Sequence, residues 1–169
     1  MPVKHSRSLA QPTAAVSGAA AATAAVSAAD DTGAFGHFLE QVRYEGAYPT
    51  RERAEEAVRH VLAALGGQIG GAERADLAAC LPGPAARLLT RARPAAQPLS
   101  GWEFVQELTA RTGGSPATTR WEVGAVLHVV ARGAGRELLD RVLRSLPTGY
   151  ALLFGRSELV GRDDLASAA

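Results

Sequence analysis

The chain has 169 residues, of which 47% are hydrophobic and 21% charged, with a net charge of +1; this is the make-up of one ordinary globular domain able to bury a core. So small a net charge excludes the global basic field that draws nucleic acid or an acidic membrane. The one cysteine, Cys80, excludes an intramolecular disulfide and a cysteine-based metal cluster.

Residues 1–33 differ from the rest of the chain. Ala dominates, mixed with Ser, Thr, Gly and Pro, and no charge occurs between Arg7 and Asp30. Lys4, His5 and Arg7 ahead of "TAAVSGAAAATAAVSAA" raise the question of an export signal over residues 1–29. That stretch has no Leu, Ile or Phe, and Ala gains little in hydrocarbon. The reading is a disordered low-complexity leader that ends at Asp30-Asp31-Thr32-Gly33; an export signal, a docking peptide and a misassigned start are the alternatives. No membrane span is expected, and the expected location is cytoplasmic.

Beyond Gly33 the apolar residues recur at helical spacing, and no run alternates as a strand would. The first predicted helix covers about 34–45, with Phe35, Phe38, Leu39 and Val42 on one face. Gly46 and Pro49 end it. Thr50 can cap a second helix, since its hydroxyl can accept a first-turn N–H. There Ala54, Ala57, Val58, Val61, Leu62 and Leu65 form the buried stripe. Glu55 and Arg59 are an i, i+4 pair on the wet side, and "GGQIGG" reads as the stop and turn. A third helix turns Ala75, Leu77, Ala78 and Leu81 inward and ends at Pro82. Cys80 reads as a small buried hydrophobe. A short fourth helix, "PAARLLTRA", precedes a Pro-rich linker over 94–99.

The second half opens with Ser100 and Glu103 three residues apart, the pattern of a capping box. Trp102, Phe104, Val105 and Leu108 supply the apolar surface of this fifth helix. Ser115 then caps a sixth, with Pro116 at its first position. "GRELLDRVLRSL" is a seventh, ended by Pro147, and "TGYALLF" a short eighth. The tail, 156–169, is expected to fray.

The halves repeat a phrase. Leu81-Pro82 recurs as Leu146-Pro147, Leu88 as Leu153, and the cap Thr50 as Ser115, all at one offset. Val58, Val61, Leu62 and Leu65 fall on Val123, Val126, Leu127 and Val130; "FLEQV" and "FVQEL" match one residue out of step. The fold expected is therefore all-α, two tandem copies of a roughly four-helix unit (34–93 and 100–155) packed into one domain. With "FLEQVRYEGAYPTRERAEEAVRHVLAALGGQIGGAERADLAACLP", "LSGWEFVQEL" and "LPTGYALLFG", this organisation resembles the bacterial family named domain of unknown function 2267, over roughly Phe35 to Gly155. The family usually carries aromatics after the first Leu-Pro, and "GPAARLLTRA" has none; the leader is also outside its pattern. The resemblance implies an all-helical fold and assigns no activity, so no functional residue is carried over from it.

Chemistry-bearing patterns are few. His5, His37, His60 and His128 show no metal-ligand spacing, and neither a nucleophile elbow nor a phosphate-binding loop occurs. No cofactor or metal is expected. Arg87, Arg91 and Arg93 form the densest basic cluster, a possible anion patch; without interleaved aromatics they are a thin nucleic-acid footprint, and a solvated edge explains them too. Trp121, Ala125 and His128 share one side of the sixth helix, where the first copy has Glu56, His60 and Ala63. Either this side packs within the domain or it is an exposed partner patch, which Trp102 would join. The leading functional expectation is a non-enzymatic interaction or regulatory module with an unknown protein partner or self-association. The alternatives are a small-ligand binder or enzyme with His128 or His60 at the wall of an inter-copy cleft, and a weak nucleic-acid binder.

Overall fold

Three helix starts are set by side-chain oxygens at the positions the sequence marks. Thr50 Oγ1 accepts from Arg53 N (3.3 Å), and Ser115 Oγ from Thr118 N (3.1 Å). Ser100 Oγ accepts from Glu103 N while Glu103 Oε2 accepts from Ser100 N at 2.8 Å, a complete capping box. Each bond satisfies a first-turn donor that the helix itself leaves unpaired.

The structure is a computed structural model that describes residues 16–157, with side chains from Asp30 onward. Its elements are α1 (Val16–Glu45), α2 (Arg51–Gln68), α3 (Gly71–Ala79), α4 (Gly83–Thr90), α5 (Gly101–Thr112), α6 (Pro116–Ser145) and α7 (Tyr150–Leu153). The fold is all-α, with no strand among the described residues. No helix there is long and apolar enough to cross a membrane. Residues 1–15 of the leader and 158–169 of the tail lie outside the described residues.

Helices α2 and α6 are the centre. Helix α2 packs against α1, α4, α5 and α6; α6 also meets α1, α3, α5 and α7. The stripe Ala54, Ala57, Val58, Val61, Leu62 and Leu65 is buried as its spacing predicts, and so are Val123, Val126, Leu127 and Val130 of α6. Phe38, Leu39 and Val42 bring α1 onto this core.

The structure differs from the sequence reading in several places. Helix α1 runs through the boundary set at residues 30–33, because the Ala-rich run before it and the amphipathic face after it are both helix-forming and carry the ladder across Asp30-Asp31-Thr32-Gly33 despite their low propensity. Asp31 is already part of the packed body, since its carboxylate accepts the Gly83 N–H (2.5 Å). Helix α2 continues through Gly66 and Gly67 to Gln68, so it ends one residue past the first glycine pair. The sixth and seventh predicted helices form one helical segment, broken at Gly135 (φ 74°, ψ 171°). That backbone is closed to side-chain-bearing residues. Ala75 and Cys80 are exposed rather than inward: Ala75 lies two residues from Leu77 and so nearly across the helix from it, and Cys80 lies past the end of α3 at Ala79. The linker 94–99 is pinned to the end of α2: Ala95 N donates to Gly67 O (2.8 Å) and Leu99 N to Gln68 Oε1 (2.9 Å).

Candidate functional site

The side of α6 singled out by the sequence lies over the C-terminal end of α1. Trp121 is 60% exposed, yet its indole Nε1–H donates to the Gly46 carbonyl at 3.0 Å. The polar end of the ring is thus satisfied and the apolar faces remain toward solvent. Ala125 is buried, at the floor, where Ala117 and Gly124 complete a groove of about 310 Å³. Arg120, Glu45 and His128 stand on its rim.

One carboxylate organises that rim. His128 Nδ1–H donates to Glu45 Oε1 (3.2 Å), and Arg132 Nη1 donates to Glu45 Oε2 (2.8 Å). Glu45 is the last residue of α1, where the helix dipole disfavours a negative charge. The Arg132 hydrogen bond, opposed by partial burial and aided by His128, nevertheless holds its carboxyl below the usual carboxylate range. The Nε2 edge of His128 abuts the Gly155 backbone, so closely that a Cβ there would overlap the ring. The imidazole is therefore held from both edges. The groove offers no hydroxyl or thiol among its lining residues, so its geometry suits binding better than nucleophilic chemistry.

The Glu45 contact should be visible as a pH dependence. A carboxyl with a depressed folded-state value stabilises the fold above its unfolded-state value, ordinarily 4.5. That contribution is lost as pH falls through the lower folded-state value. We expect Glu45→Gln to lose about 0.5–1 kcal/mol at neutral pH, the scale of a partly exposed pair. The difference from the wild type should close in acid. Melting temperatures of both proteins between about pH 7 and pH 3 test this; a pH-independent gap would show that the contact is not electrostatic.

The other candidate residues do not join this groove. Trp102, 66% exposed, sits in the first turn of α5, held near α7 by the Gly101 N–H to Thr148 O bond (2.9 Å), and it does not line the Trp121 groove. The cluster Arg87, Arg91 and Arg93 is divided. Arg87 and Arg91 line one cavity together with Arg59 of α2, whereas Arg93 lines another beside Arg111. The wet-side pair Glu55 and Arg59 forms no salt bridge; both line the first of these cavities. His37 lies 3.0 Å from Gln41 on the exposed side of α1. His60 lines none of these grooves, and His5 lies outside the described residues. Among the described residues no group of three or more His, Cys, Asp or Glu could hold a metal ion.

Glu45, Arg120 and Arg59 belong to these surfaces; sequence reasoning passed over Glu45 and Arg120 and placed Arg59 only in a wet-side pair with Glu55. For Glu45 a signal existed: an acidic residue closing a helix is a mismatch that a distant cation must offset. For Arg59 and Arg120 there was none, since an arginine on a polar face reads alike whatever it overlooks.

The family model for DUF2267, described as an uncharacterized conserved protein, matches residues 35–153. No curated protein matches the chain.

Proposed function

The chain belongs to the DUF2267 family, and from that all-helical frame we propose that it is a non-enzymatic interaction module that engages a protein partner through the Trp121 groove. The observation that carries this reading is the exposure of a large aromatic ring whose polar atom is already bonded. Singly exposed aromatics are ordinary, but a Trp lining an apolar groove gains free energy when a partner covers both. One tethered in place loses little freedom on binding and makes a strong anchor. Burial of both members of the aligned pairs Val58/Val123, Leu62/Leu127 and Leu77/Val142 supports two tandem copies as the scaffold, with the patch on the second copy alone. Cytoplasmic placement belongs to the same proposal.

The test compares wild type, Trp121→Ala and Trp102→Ala by affinity capture and by sedimentation velocity. The expected result is a partner, or a second copy of the chain, recovered by wild type and Trp102→Ala. Its affinity for Trp121→Ala should be weaker by at least about tenfold. Stability of Trp121→Ala should fall by only about 1 kcal/mol, for the lost Gly46 bond. Equal capture by all three proteins would refute the assignment.

A second reading, a small-ligand site, is favoured by the size of the same groove and by the fixed His128, Glu45 and Arg120 on its rim. The nucleic-acid reading loses support from the separation of Arg93 from Arg87 and Arg91.

A further inference from the structure

Arg59 of α2 and Arg87 and Arg91 of α4 surround a second groove, of about 400 Å³, remote in sequence from the Trp121 side chain. We propose that it binds a small amphiphilic anion: a carboxylate carried on an apolar chain.

The charge around this groove is unbalanced. Three guanidinium groups face it and one carboxylate, Glu55, shares its lining. Among the described residues Arg59 and Arg91 have no ion-pair partner. Arg87 has Asp31 Oδ2 at 3.8 Å, while the other oxygen of that carboxylate accepts the Gly83 N–H, so Arg59 and Arg91 carry the unmatched charge. Arg87 and Arg91 are also one helical turn apart, an arrangement of like charges that destabilises α4 on its own. Arg43, Arg132 and Arg141 are matched close by, with Glu40, Glu45 and Asp76, whereas Arg51, Arg93, Arg120, Arg136 and Arg144 share with Arg59 and Arg91 the lack of an ion-pair partner among the described residues. What sets this groove apart is that three guanidinium groups meet over one apolar wall. Here the missing counter-charge is one that a ligand can bring.

The wall beneath the arginines is apolar. Phe35 and Leu88 are left half-buried at its surface, and Ala63 and Ala92 lie between them. A cleft with one sign of charge over a low-dielectric wall focuses its field on an incoming anion. The guanidinium fork matches a carboxylate in two parallel hydrogen bonds. The half-buried Phe35 and Leu88 gain from covering by hydrocarbon, which a bare inorganic anion does not supply. The volume lies in the range of small-molecule sites. Charge and wall together therefore select a ligand with both parts.

The experiment uses the full chain and decanoate as probe, with binding followed by amide chemical shifts and by equilibrium dialysis. Methyl decanoate (the neutral ester), inorganic phosphate and a short single-stranded oligonucleotide are the comparison ligands. The double variant Arg59→Gln/Arg91→Gln and Trp121→Ala are the comparison proteins. Both arginines are exposed and unpartnered among the described residues, so the double variant should keep the wild-type fold and melting temperature.

We expect decanoate to shift amides of α2 and α4. Its affinity should fall about tenfold or more in the double variant and stay unchanged in Trp121→Ala. Methyl decanoate and phosphate should each bind at least about tenfold more weakly than decanoate. The proposal is overturned if the neutral ester binds as well, if phosphate alone binds as well, or if the double variant retains full affinity. It is equally overturned if the oligonucleotide displaces decanoate with higher affinity, or if binding depends on Trp121. Loss of partner capture in Trp121→Ala leaves this result untouched, so the two sites are judged separately.

Discussion

Phe104→Ala should cost about 3–5 kcal/mol of stability, the range for removing a fully buried phenyl ring. Phe104 is 2% exposed and packs against Tyr150 with ring centroids 5.5 Å apart and planes at 53°. A tilted pair of this kind adds about 0.5–1.5 kcal/mol beyond the area it buries. The ring also has an architectural role. Helix α5 rests on α2 and α6, and the Phe104–Tyr150 contact joins it to α7 through side chains. Removing it opens a cavity between α5 and α7, whose approach to each other is limited by the Gly101 N–H to Thr148 O bond. Urea unfolding is the measurement. The midpoint should move and the slope should not, because the surface exposed on unfolding is nearly the same. A loss below about 1.5 kcal/mol would show that α5 repacks freely, contrary to this packing.

Gly66→Ala should destabilise strongly, against the ordinary expectation. In a helix interior Gly→Ala normally gains about 1 kcal/mol, since Gly sacrifices more backbone freedom on folding. At Gly66 the added Cβ would overlap the Leu89 carbonyl oxygen and lie 2.8 Å from the Ala92 Cβ. The first contact is backbone, so no rotamer change relieves it, and α4 must move away from α2. Overpacking of this kind costs about 1–3 kcal/mol, and a backbone clash sits at the upper end. The displacement also strains Arg74, whose Nη1 donates to both Gly66 O (3.0 Å) and Ala92 O (3.2 Å) and ties α3 to α2 and to the segment just after α4. Gly124→Ala in α6 is the matched control, because nothing lies within 4 Å of its Cβ position. Thermal unfolding should therefore show opposite signs, a gain of up to about 1 kcal/mol at Gly124 and a loss at Gly66. Two changes of the same sign would mean that α2 and α4 approach each other less closely.

Gly66 also shows why part of the fold was legible and part was not. In "GGQIGG" a glycine pair at the end of an apolar stripe reads as a helix stop, and local rules favour that reading. The helix continues because α4, arriving later in the chain, needs a position without a side chain. The same distinction applies to Cys80 and Ala75. Cys80 follows the phase of Leu77, but α3 ends at Ala79 and leaves it exposed, while Ala75 lies nearly across the helix from Leu77. For Tyr150 and Phe154 the reverse holds. They differ from Ala85 and Leu89 of the first copy and invite a functional explanation, yet all four are buried. Their difference fills the core.

Where the interactions span a few residues, the amino-acid order was enough. Caps at Thr50, Ser100 and Ser115, the stripe of α2 and the Leu-Pro breaks rest on hydrogen bonds and periodicities that close within one or two helical turns. These fix helix type and register without knowledge of the rest of the chain. The surfaces were decided elsewhere. Glu45 meets Arg132 across 87 positions, Trp121 meets Gly46 across 75, and Arg59 faces α4 only because α2 and α4 pack side by side. Burial and charge balance at such sites are properties of several helices together. A residue's own neighbours in the chain carry no record of which distant helix will come to lie beside it.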